Sequence, residues 1–279
     1  MKVPLHIVQA RREKLEKLLA SERYLPISEV RKQLGISEAT ARRDLAALER
    51  EGRITRTRGG ALGEFNDRFP SYSERQRRGA RSKSRMAAAA LTVLRPGGTY
   101  FFDSGTTVSY LADALAEKPP GPMRILTVNL PAAEVLAAHR EIEVHLTGGQ
   151  MLPRQSVLLG GGAIRSIEGW TFDAAFLSAE GMDGEGLWNS QLSIVAHQHA
   201  VVRRARKNIF LMDRTKANHR AAHFLLPWGA VDCVLSDATR ETMAGMGREA
   251  LQAHWLPGNP VPFDCEVDSE PDTLPVHYL

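Results

Sequence analysis

The sequence contains only two cysteines, Cys233 and Cys265, and they stand in no metal-ligand spacing. This excludes a disulfide framework and a cysteine-based zinc site, and it fits a reducing cytoplasm. No apolar run approaches the ~18–20 residues that a membrane span needs, and the first residues lack the apolar stretch of a secretory signal peptide. We therefore expect a cytoplasmic protein without a membrane anchor.

Charge is distributed unevenly along the 279 residues. Residues 1–85 hold 21 of the 36 Lys and Arg but only 11 of the 32 Asp and Glu, a net charge of +10, whereas the remainder carries −6. A basic front part followed by an acidic rear part indicates two modules, of which only the first meets a polyanion. A basic face that contacts only solvent is the alternative explanation.

Apolar residues at helical spacing predict three helices in the front part. The first spans 5–21. The second is expected to be capped by Ser28 and to end at Gly35, because glycine tolerates the left-handed backbone that follows many helices. Ser37 then stands in position to cap a third helix. Two helices separated by so short a step are typical of a helix-turn-helix.

The third helix, predicted over 38–51, has an outer face suited to a DNA major groove. That face carries small residues and arginines and no acid, so it can approach the groove and reach phosphate or guanine. Segment 52–60 alternates β-branched and basic residues, which predicts a two-stranded wing; a three-helix protein-interaction module is the alternative. The predicted DNA-contacting residues are Ser37, Thr40, Arg42, Arg43, Arg50, Arg53, Arg56 and Arg58.

From residue 83 onward the pattern alternates strands and helices. This alternation predicts a Rossmann-like, mostly parallel α/β sheet with helices on both faces. Gly160-Gly161-Gly162 lacks the spacing of a nucleotide-binding loop and is predicted to be a turn. The predicted strands are 99–103, 124–128, 142–146, 174–178, 208–212 and 233–236, and the last predicted helix spans 241–253.

Polar residues follow several predicted strands at their carboxyl ends, where ligands bind in open α/β sheets. The first of these strands runs into the sequence Ser104-Gly105-Thr106-Thr107, where a helix is predicted to begin. Hydroxyls, a glycine and the amides of a helix start can cradle a phosphate, although helix capping alone also produces this pattern. The loops at 127–131, 147–149 and 213–216 hold equivalent positions, and Lys216 can pair with a phosphate or sugar oxygen.

These motifs resemble the DeoR family of bacterial transcriptional regulators over roughly residues 5–255. The resemblance implies operator binding, usually repression, a sensor fold similar to ribose-5-phosphate isomerase, and a phosphorylated sugar or related metabolite as effector. It rests on the segment 37–45, on Arg58-Gly59-Gly60-Ala61, on Ser73-Glu74-Arg75 with Lys83, on Asp103-Ser104-Gly105-Thr106-Thr107, on Gly148-Gly149, on 173–183 and on 213–216.

The chain departs from the family pattern at two places. Val128 stands where the family commonly has Asn, with Asn129 one position later, and Ile194 and His199 stand where the family often has Glu and a basic residue. Whether the effector is phosphorylated therefore stays open. The resemblance implies an effector site of Asp103, Ser104, Gly105, Thr106, Thr107, Asn129, Gly148, Gly149, Asp183, His199 and Lys216.

Two other functions remain compatible with the residue types. One is a sugar-phosphate isomerase with a DNA-binding appendage, for which Asp103, Asp183, Asp213 or Lys216 can supply the proton-transfer group. The other is a DNA-binding module that senses nothing. We predict a regulator rather than an enzyme, without cofactor or metal, which binds double-stranded operator DNA and a sugar phosphate or related anionic polyol as a homodimer or homotetramer.

The predicted organisation has four parts. They are a winged helix-turn-helix DNA-binding domain over 1–61, a linker over 62–82, an α/β effector-binding domain over 83–256 and an irregular tail over 257–279.

Overall fold

The structure is a computed structural model that describes residues 5–21, 25–50, 54–56, 60–63, 72–152 and 155–255. The front part is built of three helices and a small antiparallel sheet of strand order β1-β3-β2. Leu15, Val30, Leu45 and Leu48 form the centre of its apolar core. The elements are α1 (Leu5–Ser21), β1 (Leu25–Pro26), α2 (Ile27–Leu34), α3 (Glu38–Arg50), β2 (Ile54–Arg56) and β3 (Gly60–Gly63).

The three predicted helices are present, and their ends show what the sequence signals do. Gly35 ends α2 in the left-handed conformation, with φ of 62°. The Ser37 hydroxyl caps α3 by accepting the backbone N–H of Thr40 at 3.2 Å. The prediction that Ser28 caps α2 is wrong: the helix begins at Ile27, directly after the extended Pro26. Pro26 belongs to strand β1, so the chain enters α2 straight from the sheet.

The remaining elements form the α/β part of the protein. Besides helices and strands it contains single 3-10 turns at Arg214–Lys216 and Trp228–Ala230. The helices are α4 (Tyr72–Arg77), α5 (Ala80–Leu91), α6 (Thr106–Glu117), α7 (Leu130–Leu136), α8 (Gly161–Glu168), α9 (Leu192–Val202), α10 (Arg240–Met246) and α11 (Arg248–Ala253). The strands are β4 (Thr99–Phe102), β5 (Met123–Thr127), β6 (Ile142–Leu146), β7 (Gln150–Leu152), β8 (Val157–Leu159), β9 (Ala174–Leu177), β10 (Gly181–Asp183), β11 (Gly186–Asn189), β12 (Asn208–Leu211), β13 (His223–Pro227), β14 (Cys233–Leu235) and β15 (His254–Trp255).

A seven-stranded parallel sheet, of order β15-β14-β12-β9-β4-β5-β6, is the centre of this part. Successive side chains alternate between its two faces. Tyr100 and Phe102 pack with helices α5, α6 and α7, whereas Phe101 packs with α8 and α9 on the opposite face. All six predicted strands lie in this sheet, so the mostly parallel α/β fold is confirmed.

Several elements differ from the sequence prediction. The glycines at 160–162 were predicted to form a turn, which is wrong: β8 precedes them and helix α8 starts at Gly161. The helix predicted over 241–253 is two helices, since Gly247 breaks it with φ of 124°. Strands β10, β11 and β13 form an antiparallel sheet that the sequence did not reveal. Within the segment predicted as a linker, Tyr72–Arg77 and residues from Ala80 onward are helical.

Candidate functional site

Helix α3 presents the face predicted to contact DNA. Ala41, Leu45 and Leu48 are buried in the core, as predicted. Arg43 is exposed on the same helix. Arg42 is exposed too, but its guanidinium donates to the Glu38 carboxylate at 2.7 and 3.0 Å. The helix therefore offers one arginine that is bound to an acid and a neighbouring one that extends from its outer side.

A buried carboxylate joins α3 to α1. Asp44 is only 2% exposed and accepts from Arg11 at 2.6 Å and from Arg12 at 3.2 Å. Charge-assisted hydrogen bonds of this kind are stronger than neutral ones. They hold the outer helix at one angle to the first helix, which the apolar contacts alone do not specify.

Strands β2 and β3 pair antiparallel, from Ile54 opposite Gly63 to Arg56 opposite Ala61. This confirms a two-stranded wing, although its second strand begins only at Gly60. Arg53 and Arg58 lie outside the described residues, as do the side chains of Arg50 and Arg56. The prediction that these four arginines contact DNA therefore stays a prediction.

A cavity of about 380 Å³ lies beyond the carboxyl ends of the neighbouring strands β4, β9 and β12. Pockets that hold small molecules begin at roughly 300 Å³. Residues 105–107 follow β4, residues 178–180 follow β9, and Asp213 and Lys216 follow β12. The remaining wall comes from α4, α5 and the turn between them.

The wall after β4 is the start of helix α6. Thr106 and Thr107 are buried and line the cavity. Gly105 precedes the helix with φ of 124°, and no side chain caps the first turn. A Cβ on Gly105 would approach the Ser178 hydroxyl to 2.5 Å, so glycine allows this loop to pack against the end of β9. Uncapped amides and two hydroxyls at a helix start favour an anion.

Basic side chains outnumber acidic ones around this cavity. Arg75, Arg78, Lys83 and Lys216 line it, against Glu180 and Asp213. The Lys216 ammonium pairs with the Glu180 carboxylate at 3.4 Å. The excess of positive charge is suited to a ligand that carries negative charge.

Lys83 is the most enclosed of these cations. It is 5% exposed, and its ammonium donates to the backbone carbonyls of Arg75 at 2.5 Å and Arg78 at 2.6 Å. Burial lowers its pKa to about 8, and the Asp213 carboxylate opposes that shift. Lys83 is therefore charged at neutral pH but can lose its proton in the mildly alkaline range.

Asp103 and Asn129 lie behind the cavity wall. Asp103 accepts from Gln198 Nε2 at 2.7 Å and from the Ser104 backbone N–H at 2.6 Å, and burial raises its pKa to about 6. The Asn129 amide donates to the carbonyls of Asp103 and Gly105, each at 3.3 Å. Both side chains hold the backbone of the loop whose hydroxyls face the cavity.

Four other predicted site residues lie away from the cavity lining. Gly148 and Gly149 lead from β6 into the β7–β8 hairpin, with φ of 70° and 110°. The Asp183 carboxylate accepts from Trp188 Nε1 and from Arg220 Nε, each at 2.8 Å. The His199 ring bonds the Leu225 carbonyl at 2.7 Å and so joins α9 to β13. Gly105, Thr106, Thr107 and Lys216 are the predicted residues that line the cavity, and Ser104 lines a small recess beside it.

The basic residues of α4 and α5 were missing from the predicted site. The Ser73-Glu74-Arg75 and Lys83 pattern was noted as a junction between modules, but a junction pattern does not say that its side chains enter a cavity. Two departures from the family pattern also have a place: Val128 is buried in the core, and Ile194 lines the recess beside the cavity.

In the described part of the chain, no group of three or more His, Cys, Asp or Glu is arranged to hold a metal ion. Nor does any helix there combine the length and the apolar composition that crossing a membrane requires.

Comparisons with known proteins were made at the levels of sequence and structure. The chain is 29% identical over 232 residues to the HTH-type transcriptional regulator GlpR of Haloferax volcanii, covering 82% of this chain and 89% of that one. It is 27% identical to the HTH-type transcriptional regulator UlaR of Shigella dysenteriae, covering 84% and 93%. It is 29% identical to the lactose phosphotransferase system repressor of Lactococcus lactis, covering 81% and 90%.

Among solved structures, ribose 5-phosphate isomerase A of Methanocaldococcus jannaschii matches with a TM-score of 0.35 and 16% identity. That match covers 48% of this chain and about half, 52%, of the isomerase. The eIF2B beta subunit of Chaetomium thermophilum matches with a TM-score of 0.43 and 14% identity, over 67% of this chain and 57% of that subunit.

Two family models match the chain in succession. The DeoR-like helix-turn-helix domain matches residues 11–65, which contain α3 and the wing. The DeoR C terminal sensor domain matches residues 78–238, which contain most of the parallel sheet and nearly all of the cavity. The sensor model alone covers more than half of the sequence, and the protein thus belongs to the DeoR family of transcriptional regulators.

Proposed function

We propose that this protein is a repressor of carbohydrate catabolic genes, whose affinity for operator DNA changes when a sugar phosphate or related anionic polyol binds the cavity. The observation that carries this proposal is the composition of the cavity. It joins the uncapped start of α6 with its two threonine hydroxyls to four cationic side chains. Such donors complement a phosphate or carboxylate group.

The names of the relatives support the choice of effector. One is called a lactose phosphotransferase system repressor, and the others are called transcriptional regulators. An isomerase, by contrast, needs a base placed to move protons on the sugar. Of the two carboxylates that line the cavity, Glu180 is paired with Lys216 and Asp213 accepts from the backbone N–H of Thr215 at 2.9 Å. Both are already bound within the protein, which favours sensing over catalysis.

Within this proposal, Thr106 is a direct contact of the anion. Replacing it by Val keeps the shape and removes the hydroxyl, so Thr106→Val should abolish the effector response and leave operator binding without effector unchanged. An operator fragment selected from random DNA, carrying a fluorophore, is titrated with protein by anisotropy in the presence of a panel of sugar phosphates and sugar acids. Thr171→Val, at an exposed site outside the cavity lining, is the matched control.

Each outcome of this experiment has a clear meaning. A response in the wild type and in Thr171→Val, but not in Thr106→Val, supports the assigned cavity. Equal responses from all three proteins would refute the phosphate cradle at α6. Turnover of a sugar phosphate by the purified protein would show an isomerase instead of a sensor.

A further inference from the structure

The segment that leads from the wing into the α/β part forms one wall of the cavity. Residues 72–79 comprise α4 and the turn before α5. Arg75 and Arg78 of this segment line the cavity opposite the loop after β4 and the loop after β12. Residue 72 comes only nine positions after the last residue of β3. The sensor cavity and the DNA-binding module are thus close neighbours along the chain.

This segment is held to the α/β part mainly by polar contacts with its backbone. Lys83 donates to the carbonyls of Arg75 and Arg78. The Tyr110 hydroxyl, on α6, donates to the carbonyl of Gln76 at 3.2 Å. Helix α4 contains no buried residue. Elements that bury few apolar side chains open at a low cost in free energy, so a small additional interaction can change the fraction of molecules in which the segment is docked.

The charges at the cavity give an anion that additional interaction. With the segment docked, Arg75 and Arg78 lie beside Lys83 and Lys216, and like charges repel. An anion at the start of α6 lies between these groups and attracts all of them. It therefore binds the docked state more tightly than an undocked state, in which the two arginines are withdrawn.

We propose that Arg75 and Arg78 make residues 72–79 an anion-dependent clasp, which docks when the cavity is occupied and so transmits occupancy to the DNA-binding module. The inference rests on the proposed effector cavity and adds the element that couples it to DNA. A ligand shifts a two-state equilibrium only through different affinities for the two states, and here the two arginines supply that difference. The same coupling requires operator DNA to change the affinity for the anion by an equal factor.

Hydrogen exchange of the full-length protein, read by mass spectrometry, tests the docking step without DNA. The probe is inorganic phosphate, added at a saturating concentration found from its effect on the melting temperature. Amides in 73–79 should exchange about tenfold more slowly with phosphate, a typical size for such coupling. In the Arg75→Ala, Arg78→Ala double variant this slowing should disappear. Arg77→Ala, on the same helix at an exposed position outside the cavity lining, should behave as the wild type.

A second variant separates coupling from binding. Tyr110→Phe removes only the hydroxyl that holds Gln76, and Tyr110 does not line the cavity. Its phosphate affinity, measured by calorimetry, should stay within about twofold of the wild type, since that hydroxyl contributes one hydrogen bond to docking. The factor by which an effector changes operator affinity should nevertheless fall by about fivefold. Retention of the full factor would overturn the clasp, even in a protein that binds phosphate normally.

Failure of the clasp and failure of the proposed function give different results. If neither phosphate nor any sugar phosphate raises the melting temperature, the effector cavity is refuted and the clasp with it. If phosphate binds but exchange in 73–79 is unchanged, or if the double variant keeps the slowing, the clasp is refuted while the cavity stands.

Discussion

Arg42 and Arg43 are adjacent arginines whose surroundings differ. Arg42 is bound to Glu38, whereas Arg43 extends from the exposed side of α3. A guanidinium bound to an acid on its own helix must give up that contact before it binds DNA. Arg43 is therefore the stronger candidate for reading a base.

Replacing Arg43 by Ala should cost about 1–3 kcal/mol of specific operator binding, the range for a good base contact. Arg56→Ala or Arg58→Ala, in the predicted wing, should instead weaken binding to all sequences alike and reduce the salt slope by about one unit. Anisotropy titrations at several salt concentrations, with operator and scrambled DNA, measure both effects. If Arg43→Ala binds operator as tightly as the wild type at equal salt, the orientation assigned to α3 is wrong.

Lys83 predicts a pH dependence of anion binding. Its pKa of about 8 means that it loses its positive charge as the pH rises through this value. Affinity for sulfate, whose own charge is constant in this range, should fall between about pH 7 and about pH 9. Calorimetry at each pH measures this, and Lys83→Arg should remove the decrease because a guanidinium stays charged. A decrease of equal size in that variant would exclude Lys83 as its cause.

The same shift has a definite sign for stability. Lysine titrates at 10.5 when unperturbed, so between about pH 8 and 10.5 the unfolded chain binds more protons at this site than the folded protein does. The contribution of Lys83 to the free energy of unfolding therefore rises with pH in that window. Binding of the anion and stability of the fold respond to the same group in opposite directions.

At the scale of elements, the pairing of α3 with α1 depends on Asp44. Asp44→Asn removes a charge that two arginines share, and hydrogen bonds to charged groups are worth about 1.5–3 kcal/mol. Arg11 and Arg12 keep side-chain exposures of 18% and 29%, so they regain some hydration and the loss should lie near the lower end.

Glu38→Gln is the matched control for that prediction. It breaks a pair with Arg42 in which the side chains are 44% and 54% exposed, and such pairs are worth about 0–1 kcal/mol. Chemical unfolding followed by circular dichroism compares the two variants. Equal stabilities would show that the Asp44 pairs do not hold α3 in place.

At the scale of the whole molecule, one helix-turn-helix reads too few base pairs to select an operator. We therefore predict a dimer or a tetramer of dimers, with operator half-sites separated by about 10–10.5 base pairs or a multiple of that spacing. Light scattering of the free and DNA-bound protein measures the mass. A monomer of 30.8 kDa in both states would contradict the prediction.

Patterns that act over a few residues made much of this protein predictable. The core side of α3 follows from the spacing of Ala41, Leu45 and Leu48, and six strands of the large sheet follow from short apolar segments between helices. Both depend on the fixed periodicities of helices and strands, 3.6 and 2 residues, which any stretch of sequence displays by itself. The two modules and the family resemblance were likewise evident from local motifs.

Only the tertiary structure decided which strand ends meet. The cavity forms over β4, β9 and β12 because these are neighbours in the sheet, although β5 and β6 come between β4 and β9 in sequence. For the same reason Asn129, after β5, lies behind the wall, while Arg75 enters the cavity from outside the sheet. Strand order and the direction of a side chain at a loop arise from packing among distant segments, and no local periodicity encodes them.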